Sequence, residues 1–177
     1  MNTRNPWSRI LTVVGGGAML VGGLDPMEGS LLILPGSGLM ALGAWIGQAE
    51  RQVIAYRVWV FSLIAVGVGA LWGLSAVGGF GGSSGRSMWW GALILPSLIG
   101  WSMGFWGPGA PRWLALLGIA AGAWYLLLAF VPGGVLGIVC ASLGVLTIGG
   151  CIYRLKQQDQ KGRQVGLSPD VSIESVK

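Results

Sequence analysis

WLALLGIAAGAWYLLLAFVPGGVLGIVCASLGVLTIGGCIY, residues 113–153, runs for 41 residues without a charged side chain. As a single helix it would measure ~60 Å, about twice the hydrocarbon thickness of a bilayer. Near its middle stands Val131-Pro132-Gly133-Gly134. The proline cannot donate to a helical ladder, and the glycines accept turn dihedrals, so the chain reverses there. The stretch reads as two membrane helices, 113–130 and 135–153.

The same reading extends towards the N-terminus. Residues 29–49, 58–85 and 87–111 also lack charge, and each is long enough to cross a bilayer, which takes about 20 helical residues. Only 10% of the 177 residues are charged while 53% are apolar, too little polar surface to cover a soluble domain of this size. A membrane β-barrel would need short segments alternating apolar and polar residues, and none occurs. The 33 glycines lie among Leu, Ile, Val and Trp, as suits closely packed membrane helices.

Arg4 and Arg9 ahead of an apolar stretch look like a secretory signal, but no small-x-small cleavage site follows. The segment is expected to be a retained first helix. The expected architecture is an all-α integral membrane domain over 1–153 with six spans: 7–24, 26–47, 58–77, 88–106, 113–130 and 135–153. A basic cytoplasmic tail covers 154–177; its first turns are candidates to extend the sixth helix, and the remainder, around Ser168-Pro169-Asp170, is expected to be disordered. Alternating the loops puts ten of the 11 basic residues on one side and leaves Arg86 alone on the other. By the positive-inside rule both termini are cytoplasmic, in a cell (inner) membrane. A re-entrant hairpin would reduce six spans to four and keep that parity.

Few residues could carry chemistry. In Asp25-Pro26-Met27-Glu28, Asp25 and Glu28 have the spacing of a capping box with proline at the first helical position. The competing reading is an outer cation or partner site. Leu32-Ile33-Leu34-Pro35 recurs as Leu93-Ile94-Leu95-Pro96, a possible helical-hairpin pseudo-repeat. Pro35, Gly36, Ser37 and Gly38, together with Pro96, are candidate helix interruptions, as found where transporters bind solutes. Glycine pairs at i, i+4 recur, among them Gly43 and Gly47, Gly69 and Gly73, Gly100 and Gly104, and Gly118 and Gly122. Arg154, Lys156, Lys161 and Arg163 are candidate lipid-headgroup contacts.

No ionisable residue is expected deep within the spans. With no histidine and no clustered carboxylates, nothing activates Ser37, Ser97, Ser102 or Ser142 as a nucleophile, so neither catalysis, cofactor nor metal is expected. The charge of +5 follows from topology and not from nucleic-acid binding. The expected function is a small membrane scaffold or accessory subunit, whose partners are the lipid bilayer and either further copies or other membrane subunits. The alternative is a small-solute transporter or channel working through the interruptions at Pro35 and Pro96.

Overall fold

The computed structural model describes residues 6–24, 29–79, 88–130 and 134–166. These are all helical or connecting, with no strand among them: α1 (Pro6–Leu24), α2 (Ser30–Ile46), α3 (Arg51–Ala76), α4 (Leu95–Trp106), α5 (Arg112–Leu128) and α6 (Gly134–Gly166). A 3₁₀ stretch, Met88–Ile94, leads into α4. Each expected segment overlaps a helix, with residues 26–28 of the second outside the described residues.

Local chemistry sets several of the boundaries. At the end of α4 the Gly104 carbonyl would look for the N–H of residue 108, which is proline, and Gly109 then turns the chain at φ +75°. Pro111 caps the start of α5 in an extended conformation, as the residue preceding a helix adopts. The 3₁₀ stretch has a similar cause. Pro96 has no N–H for the carbonyl of Ala92, so the tighter ladder upstream lets an earlier donor approach it. The Ser97 hydroxyl adds a bond to the Ile94 carbonyl at 2.7 Å.

The helices form three antiparallel hairpins. In the first, Gly15 meets Gly36, Gly22 meets Gly29, and the Ser8 hydroxyl donates to the Gly43 carbonyl at 2.6 Å. In the second, Gly100 rests on Val60 and Ile64 of α3. In the third, Gly118 faces Cys151, and Gly122 faces Gly144 and Ile148. Side chains larger than hydrogen at these glycines would hold the backbones apart. α4 lies at the centre, touching α1, α3, α5 and α6. Around it Met19, Ile64, Phe105, Leu114, Ala115 and Cys151 form the buried core. Both cysteines are free.

One expectation needs correction. Pro35 does not interrupt α2, which continues through it from Ser30 to Ile46. The lost N–H leaves only the Leu31 carbonyl without its usual donor. Gly36 beyond it is pinned against the Gly15 carbonyl and the Met19 nitrogen of α1, and Ser37 bonds back to the Leu34 carbonyl at 2.8 Å. Pro96, by contrast, sits in the first turn of α4, just after the helix changes type. The two Leu-Ile-Leu-Pro copies are therefore not structurally equivalent. The first part of the tail does extend the sixth helix: α6 runs on to Gly166, because Leu155 packs on the core and Gln158 donates to the Ala110 carbonyl at 3.0 Å.

Two helices are long and apolar enough to cross a membrane, α3 and the Gly137–Gly162 part of α6. The segments Ser30–Ile46, Ala92–Trp106 and Arg112–Leu128 are apolar but shorter. With its 3₁₀ lead, α4 gains about 14 Å and reaches roughly 32 Å in all.

Candidate functional site

Arg57 is six residues into α3 and only 4% exposed; it borders the expected span 58–77, and its side chain is packed among the helices. Its Nη1 donates to the Gly104 carbonyl at 2.9 Å, and the neighbouring Tyr56 hydroxyl donates to the Met103 carbonyl, also at 2.9 Å. Both acceptors belong to the last turn of α4, where carbonyls run out of intrahelical donors, although Met103 still accepts the Gly107 N–H at 3.2 Å. Pro108 makes Gly104 one of them. A cation placed there also meets the negative end of the helix dipole.

On its other side Arg57 lines a cavity of about 20 Å³ shared with Ser8, Thr12, Ala44, Val53 and Gly109. That is room for about one water-sized group. Thr12 donates to the Ser8 carbonyl at 2.8 Å, so both hydroxyls are bonded to backbone while their lone pairs stay available. Among the described residues the one ion pair joins Arg112 and Asp159, both exposed. It ties α6 to the start of α5 and adds little stability.

A second polar node lies deeper. Trp101, 3% exposed, donates its indole N–H to the Met19 carbonyl at 2.8 Å and meets Phe105 edge-on at 4.8 Å between ring centroids. Tyr125 leans on the same indole at 5.2 Å and donates to the Gly23 carbonyl at 3.3 Å. Beside them an apolar groove of about 240 Å³ opens between Leu20, Leu117 and Trp124. Next to Trp101, Ser102 lies 2.9 Å from Thr147 of α6, whose hydroxyl in turn lies 2.7 Å from the Leu143 carbonyl. The hydroxyls thus form a chain that ends on backbone.

The structure does not gather the residues expected to be functional. Asp25 and Glu28 lie outside the described residues. Pro35, Gly36, Ser37 and Gly38 sit along α2, and Pro96 begins α4. Of the basic group, Lys156 and Lys161 are exposed on α6 and Arg154 is half-buried, while the Arg163 side chain lies outside the description. Ser37, Ser97 and Ser142 each donate to a carbonyl of their own helix. No group of three His, Cys, Asp or Glu side chains gathers among the described residues.

Sequence reasoning missed Arg57 because it lies beside an uncharged run and was assigned to a loop-side boundary. A signal was available: Gly104-x-x-x-Pro108 announces a carbonyl that needs a foreign donor. The chain matches no protein-family model, and no curated protein or solved structure matches it either.

Proposed function

We propose that this chain is a multi-pass membrane protein of the cell (inner) membrane, with six spans and both ends cytoplasmic, that serves as a small scaffold or accessory subunit. The observation that carries the membrane reading is apolar helix left uncovered. In the most apolar windows of α3 and α6 only 28% and 22% of the residues are buried by the rest of the chain. The core helix of a soluble protein would be apolar because it is covered. Here Leu31, Val58, Val66, Leu116, Leu127, Val145 and Leu146 all face outwards, which suits lipid as solvent.

The scaffold reading is supported by how the inside is used. Backbones touch through glycine, interior hydroxyls bond to carbonyls, and the Gly36 face of α2 is closed by α1, leaving Pro35 exposed on the opposite side. Outwards, by contrast, Gly69 and Gly73 of α3 meet nothing within 4 Å, and the adjoining Val66 and Trp72 are exposed. Such a face admits the close approach of a helix from a second copy or another subunit. The exposed Lys156 and Lys161 suit anionic headgroups at the cytoplasmic surface.

Topology reporters provide the first test. Fusions after Lys177 and after Gln48 are expected to report cytoplasm, and one within residues 78–87 the opposite side. A cytoplasmic signal from the latter overturns the six-span arrangement. Association provides the second: Gly69→Leu with Gly73→Leu is expected to abolish self-association or partner capture in mild detergent while the melting curve stays near wild type. Unchanged association removes that face from the proposal. Solute uptake by vesicles containing the purified wild type alone, lost in Pro35→Leu, would replace the scaffold reading with transport.

A further inference from the structure

We infer that the cavity beside Arg57 is a binding site for one small monovalent anion of the halide class, held where α1, α2 and α3 meet. The inference rests on the packing of these helices with α4 and not on the membrane assignment. Arg57 is buried by the chain itself, and an unpaired buried cation is costly. Its bond to Gly104 supplies only the partial charge of a helix end, about half an elementary charge at most.

Among the described residues its neighbours supply no balancing negative charge. Tyr56 directs its hydroxyl to Met103, and Arg154 of α6, close enough to act electrostatically, adds a like charge. The only carboxylate paired with a cation among the described residues, Asp159, is engaged by Arg112. The guanidinium has five N–H donors and one of its nitrogens is spent on Gly104, so donors remain for the cavity.

Size and lining then choose the ligand. A space of about 20 Å³ matches a single halide or water better than phosphate or a carboxylate-bearing solute. The Ser8 and Thr12 hydroxyls line it but give their protons to the Gly43 and Ser8 carbonyls, so the guanidinium is the donor that faces an anion there. The Ala44 and Val53 walls keep the local dielectric low, which strengthens attraction to the guanidinium. Water is the rival occupant, and it would leave the charge unbalanced.

The test compares thermal unfolding of the purified full chain in sodium chloride, sodium bromide and sodium gluconate at equal ionic strength. Binding to the folded state is expected to raise Tm by roughly 3–6 °C for each tenfold increase in halide above its dissociation constant. Arg57→Gln is expected to abolish the halide-specific rise. Ala44→Leu fills the cavity with hydrocarbon, leaves Arg57 in place and is expected to do the same, so the test survives if Arg57→Gln fails to fold. Crystals grown in bromide are expected to show one anomalous peak beside Arg57. Equal melting in halide and gluconate, an undiminished rise in Ala44→Leu, or an ordered water without anomalous signal there would overturn the proposal.

Discussion

Trp101→Ala is expected to destabilise the fold more than any other single truncation, by about 3 kcal/mol, the lower end of the range for buried Trp or Phe to Ala. The lower end applies because lipid is as apolar as the core, so the transfer contribution shrinks and the cost falls on the void left behind. Trp101 is 3% exposed and joins three helices: its own α4, α1 through the Met19 carbonyl, and α5 through Tyr125. Removing the indole leaves Phe105 without its edge-on neighbour and opens the floor of the groove lined by Leu20 and Trp124. Trp101→Phe keeps much of the ring and loses the N–H, so it should cost about 1 kcal/mol for the bond plus a smaller void. Unfolding followed by thermal or denaturant melts in detergent checks the order wild type, Phe, Ala. An alanine variant that melts with wild type would show that the three-helix node is not a stability centre.

The helical segments were legible because their signals are local. A missing charge, a proline and a pair of glycines act on the residues beside them, and each expected segment from α1 to α6 is found as helix. Faces were not legible. A helix apolar on all sides, such as α3, has no polar stripe to say which residues turn inwards, so Trp101 and Trp124 look alike in sequence although one is buried and the other 43% exposed. Arg57 was hidden for the same reason. Its burial depends on the end of α4, far along the chain, being brought beside the start of α3. Pro35 was over-read: proline deletes one donor, and a helix clamped by a neighbour tolerates that loss. The extension of α6 into the tail was legible, but its length depends on Leu155 and Gln158 finding partners in the core and the α4–α5 turn.

The close α1–α2 contact yields a prediction in which one substitution has opposite signs two residues apart. A methyl group at Gly15 would lie 2.5 Å from the Gly36 carbonyl oxygen and 2.9 Å from Met40 Cγ, and one at Gly36 would lie 2.8 Å from the Gly15 carbonyl oxygen. These atoms are mostly backbone, so relief requires α1 and α2 to separate along the hairpin. At Gly17 an added methyl meets nothing within 4 Å. Alanine in a helix interior is favoured over glycine by up to ~1 kcal/mol, and at Gly17 that gain is expected to appear as a raised Tm. At Gly15 the same gain is outweighed by overpacking of about 1–3 kcal/mol, and Tm is expected to fall. Combining Gly15→Ala with Gly36→Ala should cost less than the sum of the single changes, because one separation of the helices relieves both overlaps. Melting the four variants side by side reads out all three claims. Gly15→Ala as stable as Gly17→Ala would mean that the two backbones are not in contact, and the tight α1–α2 hairpin would have to be abandoned.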